Sequence, residues 1–194
     1  MNIMDYDIYV TLVHHPIKNK DGEIVTTAVT NMDVHDIARL SATFGFKSYY
    51  VVTPISEQKA LVERIIEHWK GTYGRLRNNN RSAALSFVEI CSSLEDVLLD
   101  IEKKTGKKVK TIATSAKQHE RNISIPDFVS TEMNKNNAYL LMFGTGWGLA
   151  DSIMDSTDYV FEPLSYETGY NHLSVRSAVS IIMDRLYNAL GRLL

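Results

Sequence analysis

The chain has 194 residues, 44% of them hydrophobic and 23% charged, a length and composition that fit one domain with a self-sufficient core and exclude collagen-like, low-complexity and disordered classes. The formal net charge of −2 argues against holding nucleic acid by charge alone, DNA included, and leaves room for small-molecule chemistry with a limited polyanion contact. One cysteine, Cys91, supplies neither an internal disulfide nor a thiolate metal cluster, and no metal site is expected. No apolar run approaches the ~20 residues that cross a bilayer, and the opening MNIMDYDIYV lacks a basic signal-peptide region, so the expectation is a cytoplasmic protein with no membrane partner.

In chain order, residues 7–13 (DIYVTLV) read as a first strand stopped by His14, His15 and Pro16. Residues 18–22 are a loop tip. Asp33 is expected to cap a helix over VHDIARLSATF that Gly45 ends, with Val34, Ile37, Ala38 and Ala42 on one face. Residues 48–52 form a second strand, and Ser56 opens an amphipathic helix stopped by Gly71. Residues 71–81 (GTYGRLRNNNR) are a polar interruption. Residues 84–90 give a third strand, Ser93 caps a helix that Gly106 stops, and residues 109–113 give a fourth strand. Residues 114–126 carry no clear period, and Pro126 suits the first turn of a helix over DFVSTEMN. Residues 138–143 form a fifth strand, 144–149 (GTGWGL) a glycine-rich bend leading into a short helix, 158–162 a sixth strand, 163–172 a loop and 173–190 a final helix. Near-continuous apolar strands separated by single helices predict an α/β fold: a mostly parallel six-stranded sheet with helices on both faces. Neither a repeat nor a linker divides residues 1–194, which read as a single domain. Ligands of such sheets sit at the carboxyl ends of the strands.

Three segments there could carry chemistry. Gly144, Gly146 and Gly148 directly follow a buried strand, so the backbone can approach a ligand closely. The bland alternative is a tight turn with Trp147 in the core. Asn171, His172 and Ser174 cluster at a helix start, where free N–H groups favour polar ligands, although a simple N-cap would use the same residues. The third is DVHDIARLSATFG (33–45), in which Arg39 is a charged residue of a helix whose apolar positions face the sheet, and such an arginine is commonly solvated or paired with a nearby carboxylate such as Asp36.

Together these segments resemble the SPOUT superfamily of RNA methyltransferases. DVHDIARLSATFG resembles the first motif of its ribose 2′-O-methylating branch, MFGTGWGLAD the second, and EPL with NHLSV the third; LVHHPIK, TNMDVHDIAR, FGTGWGL and YNHLSVR also match a small bacterial subfamily found alone or fused to tRNA guanine-N1-methyltransferase. The likeness spans almost the whole chain. It implies a C-terminal deep trefoil knot, exempt from the usual rule against threaded chains. It also implies an S-adenosylmethionine pocket made of three loops, bound mainly through backbone groups. The first loop is Thr114, Ser115 and Ala116; the second is Phe143, Gly144, Thr145, Gly146, Gly148 and Leu149. The third is Glu162, Pro163, Leu164, Asn171, His172, Leu173 and Val175. The family usually works as a homodimer, for which Val175, Val179, Ile182 and Leu186 offer a stripe that ordinary core packing would use equally well.

The chain departs from the ribose-methylating branch at Asp33 and His172, where the branch has Asn, and at Thr145 and Trp147, where it has Ser or Thr with Glu. The resemblance therefore implies cofactor binding and leaves the accepting atom open: ribose 2′-O or base, in a structured RNA such as tRNA or rRNA. Arg39, by analogy, is the catalytic candidate that positions or deprotonates the acceptor across the dimer, and His172 is the titratable one. Arg75, Arg77 and Arg81 beside Tyr73, with Lys117 and Arg121, are the expected RNA contacts, whereas the lysines at 103–110 complement a helix end. An alternative is a cofactor-binding, dimerising module without catalysis of its own, acting beside a fused or partner tRNA methyltransferase. A dinucleotide-binding enzyme would need its glycine bend in the first strand–helix turn, and none is there.

Overall fold

The computed structural model describes residues 5–191, so residues 1–4, which open the segment read for a signal sequence, lie outside it. The chain begins with β1 (Asp7–Val13), a hairpin of β2 (Ile17–Lys18) and β3 (Ile24–Val25), and α1 (Asn31–Phe44). It continues with β4 (Tyr49–Val52), α2 (Ser56–Lys70), α3 (Thr72–Arg77), α4 (Asn79–Leu85), β5 (Val88–Cys91), α5 (Leu94–Thr105) and β6 (Lys108–Ala113). The C-terminal part runs β7 (Asn122–Ile123), α6 (Ile125–Asp127) prolonged by a π-helical turn (Phe128–Glu132), β8 (Asn137–Gly144), α7 (Asp151–Ser156), β9 (Tyr159–Phe161) and α8 (Val175–Gly191).

The main sheet is parallel and has seven strands in the order β5-β4-β1-β8-β6-β9-β7, rather than the six expected. The seventh is β7, an edge strand of two residues paired with β9, too short to impose a period on the sequence. Strand alternation divides the core. Ile8, Val10 and Leu12 of β1 with Tyr139, Leu141 and Phe143 of β8 face α1 and α8, while Tyr9 and Val13 with Leu140 and Met142 face α5 and α7. Val179, Ile182 and Leu186 are buried in the first of these layers, which settles that stripe of α8 as core. No helix among the described residues is long and apolar enough to cross a membrane.

Local chemistry explains where the elements begin and end. Thr30, not Asp33, caps α1: its hydroxyl accepts from the Asp33 N–H (3.2 Å) and donates to the Asp33 carboxylate (2.6 Å), so the helix starts earlier than expected. Gly45 and Gly106 end α1 and α5 in the left-handed conformation, and Ser93 opens α5 with a full capping box. Residues 71–81, expected as a polar interruption, are the helices α3 and α4. Gly74 permits this, because a Cβ there would stand 2.4 Å from the Trp69 carbonyl oxygen, and Asn78 caps α4 through Arg81 N–H. Ala84 and Leu85 are the buried face of α4, so the third strand of the sequence reading begins only at Val88.

Candidate active site

The glycine bend after β8 folds back on itself. A Cβ at Gly144 would stand 2.7 Å from the Leu149 nitrogen and 3.0 Å from the Gly148 carbonyl carbon, so no side chain fits without moving the backbone. Gly146 (φ 55°) and Gly148 (φ 104°) occupy left-handed conformations, and the Gly148 N–H donates to the Thr145 carbonyl (3.0 Å) to close the turn. The β2–β3 hairpin buttresses the bend. The Trp147 N–H donates to the Lys18 carbonyl (3.1 Å), the Lys18 N–H to the Gly148 carbonyl (2.9 Å), and Ile17 pairs with Leu149. Lys18 also pairs with Asp151 at the start of α7 and holds that carboxyl below its ordinary value. Trp147 is 60% exposed, which overturns the reading that places it in the core. Phe143 and Leu149, by contrast, are buried.

The other two loops meet. Thr114 follows β6 and is bound to the Met142 carbonyl through both its N–H (3.1 Å) and its hydroxyl (2.9 Å), which places this loop beside the end of β8. Ser115 accepts from the Lys117 N–H (3.0 Å) and contacts His119 Nε2 (3.1 Å). The Asn171 side-chain amide donates to the Ala116 carbonyl (2.9 Å), tying the loop after β9 to the loop after β6. Within that third loop Leu164 is buried, Pro163 is partly buried, and Glu162, His172 and Leu173 are exposed. Ser174 caps α8 ahead of Val175, its hydroxyl accepting from the Ser177 N–H (3.2 Å).

A cleft of about 490 Å³ lies between α1 and α8, lined by Asp36, Arg39, Leu40, Thr43, Ser174, Arg176, Ser177 and Ser180. Arg39 and the start of α8, 135 positions apart at Ser174, are thus brought to one place. His172 does not line it; its ring stands edge-on to Tyr170 at 5.5 Å. Asp36 is not the partner of Arg39. Arg176 takes it (2.8 Å) together with Asp33 (3.2 Å), and among the described residues no carboxylate pairs with Arg39. The Arg176 clamp joins the two helices and offsets the burial of Asp33, 10% exposed at its side chain.

Beneath the bend, His14 is fully buried. Its Nδ1 contacts the Thr27 hydroxyl (3.1 Å), which in turn contacts the Thr145 hydroxyl, and Thr145 donates to the Val13 carbonyl (3.2 Å). Burial pushes the His14 pKa down to about 4, against the opposing pull of Asp33, so the ring is neutral at ordinary pH.

Of the expected RNA contacts, Arg75 and Arg77 lie on α3 and Arg81 on α4. Arg77 stands over the Tyr73 ring (5.4 Å) and Arg81 over Trp69 (4.5 Å). Lys117 is exposed, whereas the Arg121 guanidinium is engaged with the Met154 (2.6 Å) and Thr157 (3.2 Å) carbonyls at the end of α7. The lysines of 103–110 that form ion pairs do so within the fold: Lys104 with Asp100 and Glu89, Lys107 with Asp7, Lys110 with Asp158. The sequence reading missed Arg176, the Asp33–Asp36 pair and the hairpin. Arg176 stands inside NHLSVR, yet nothing local says that its partners lie 140 positions away.

A family model described as SAM-dependent RNA methyltransferase matches residues 7–188. A tRNA (guanine-N(1)-)-methyltransferase of Oleidesulfovibrio alaskensis is 40% identical over 181 residues, 93% of this chain but 42% of that protein, so the chain spans less than half of that relative's length. An uncharacterized protein of Aquifex aeolicus is 34% identical over 186 residues, 96% of this chain and 91% of its own. In fold, the chain is similar to the SpoU methyltransferase AviRb of Streptomyces viridochromogenes, solved in complex with the cofactor AdoMet: TM-score 0.55 at 14% identity, covering 96% of this chain and 58% of that one.

Proposed function

Since the chain belongs to the family of S-adenosylmethionine-dependent RNA methyltransferases, we propose that it methylates a structured RNA, tRNA foremost, with the cofactor in the three loops and the acceptor in the α1–α8 cleft. The observation that carries this reading is Arg39, unpaired, in the same cleft as the start of α8. The knotted C-terminal chain that the resemblance implies is part of this proposal, and the order β6-β9-β7, with β9 between two earlier strands, is compatible with it. We treat residues 1–194 as one methyltransferase unit in the cytoplasm. A homodimer would use the outer surfaces of α1 and α8, where Met32 and Tyr187 are exposed, with exposed Leu173 in the loop just ahead of α8.

The loops fit the cofactor by the chemistry of their donors. Thr114, Ser115, Ala116 and the glycines present small side chains and backbone groups rather than charges, and a Cβ at Gly148 would stand in open space, so the bend leaves room on that side. S-adenosylmethionine, when bound, supplies a methyl group activated on a sulfonium. The chain's own task is to hold the acceptor in line and to assist loss of its proton. The Arg39 guanidinium suits orienting a ribose hydroxyl or holding its phosphate, whereas His172, the other catalytic candidate, stands in the third loop outside that cleft. Arg75, Arg77, Arg81 and Lys117 would hold the RNA backbone. Because the relative named as a tRNA (guanine-N(1)-)-methyltransferase is more than twice as long, a fused or partner methyltransferase is part of the proposal.

The test is transfer of labelled methyl from S-adenosylmethionine to a total RNA pool. Arg39→Ala is expected to lower the rate at least about tenfold, a floor set below the ~100-fold typical of a positioned acid or base, with cofactor affinity unchanged. Unchanged turnover would remove Arg39 from the reaction. Cofactor binding with no transfer by the wild-type chain would favour an accessory module beside a partner enzyme.

A further inference from the structure

The bend holds a residue that cofactor binding through backbone groups leaves without a role. Trp147 occupies the third position of the turn from Thr145 to Gly148, and its ring is 60% exposed. Exposing so large an apolar surface is unfavourable, and such rings normally find a partner. Among the described residues, no aromatic ring or cation lies against this one, although Trp69, Tyr73, Tyr50 and Tyr6 all have one.

Its backbone is nonetheless fixed. Trp147 N–H and Gly148 carbonyl are both paired with Lys18 of the hairpin, and Gly146 presses so closely on it that a Cβ would come within 3.1 Å of Ile17. On the other flank, at Gly148, a Cβ would meet nothing within 4 Å. One side of the turn is therefore sealed by the hairpin and the next residue faces open space, with Trp147 between them. A flat apolar surface on a pinned backbone, beside open space, is the arrangement that accepts a planar ligand at small entropic cost. Lys18 is engaged with Asp151 beside the bend, whereas exposed Lys117, which also acts on Asp151, supplies a cationic group for a phosphate that would accompany such a ligand.

We infer that Trp147 is a stacking platform for an unpaired nucleobase of the RNA substrate, an inference that rests on the RNA-methyltransferase reading. Stacking is the recognition that suits single-stranded or extruded bases, and it demands no hydrogen-bonding pattern. The hairpin is then a positioning element that holds the platform at the cofactor bend.

The test uses the intact chain with three probes: oligo(A), oligo(U) and total tRNA. The difference in emission between wild type and Trp147→Phe isolates the Trp147 signal without touching Trp69. Oligo(A) is expected to quench that signal more than oligo(U), because purines stack better. Trp147→Ala is expected to weaken RNA affinity about tenfold, Trp147→Phe to retain most of it, and both to bind S-adenosylmethionine as the wild type does. Unchanged RNA affinity in Trp147→Ala would overturn the inference. So would quenching by S-adenosylmethionine alone with lost cofactor affinity in Trp147→Ala, which would assign the ring to the cofactor. Trp147-dependent RNA binding without methyl transfer would keep the platform and discard the enzymatic reading, whereas transfer with RNA affinity indifferent to Trp147 would do the reverse.

Discussion

Trp69 and Trp147 put the same side chain to opposite uses. Trp69, half-buried at the end of α2, is met edge-on by His35 (5.9 Å) and His68 (5.1 Å) and covered by Arg81 (4.5 Å), so it welds α1, α2 and α4 into one layer. Trp147 has a fixed backbone and an uncovered ring. Around Trp69, rings and a guanidinium cover one another and the polar segment 71–81 is helical. Around Trp147, three glycines remove side chains and leave backbone and space. One region is packed ring against ring and cation; the other keeps an exposed ring beside open space.

The largest expected effect lies in the bend. Gly144→Val would drive its side chain into the Leu149 and Gly148 backbone and should abolish S-adenosylmethionine binding in calorimetry. Gly148→Ala, whose Cβ meets nothing, should be milder, strained only through its φ of 104°. Retained binding in Gly144→Val would break the claim that this bend is the ligand side of the molecule.

His14, the buried support beneath the bend, should give the next effect. Its pKa falls from 6.5 to about 4 on folding, so the unfolded chain takes up a proton in that window and the folded chain does not. The stability it contributes is complete above pH 6.5 and is lost as the pH drops toward 4, by about 3 kcal/mol over the whole window. Urea unfolding across this range should show the slope in the wild type and a shallower one in His14→Gln; equal slopes would contradict the assignment.

The smallest effect is the most direct contrast between the two tryptophans. Trp69→Ala should cost about 2 kcal/mol of stability with cofactor affinity intact. Trp147→Ala should change stability by no more than about 0.5 kcal/mol. Equal losses in urea unfolding would erase the distinction.

Much of the fold is legible in the sequence because burial on both faces leaves near-continuous apolar runs in β1, β4, β8 and β9, while β6 reads as a strand from Val109, Thr111 and Ile112 despite Lys110. β7 does not, since two residues at an edge carry no pattern, and α3 and α4 do not, since their helicity depends on the Asn78 cap and the fit of Gly74 against Trp69. In the site, the three glycines are legible as a local signature of close backbone approach. The Arg176 clamp and the hairpin contact under the bend are tertiary facts, joining Arg176 to Asp36 across 140 positions and Trp147 to Lys18 across 129, and so is the exposure of Trp147. The resemblance to a known family conveys which segments converge. It does not convey that Asp36 pairs with Arg176 and so leaves Arg39 unpaired.

The most direct test of the central claim is calorimetric titration of the wild-type chain with S-adenosylmethionine and S-adenosylhomocysteine, with NAD as the control and Gly144→Val beside it. Binding of both cofactor forms, no binding of NAD and loss in the variant is the expected result. Failure to bind either form, or a preference for NAD, would contradict the placement of a methyl-donor pocket in the loops that follow β6, β8 and β9.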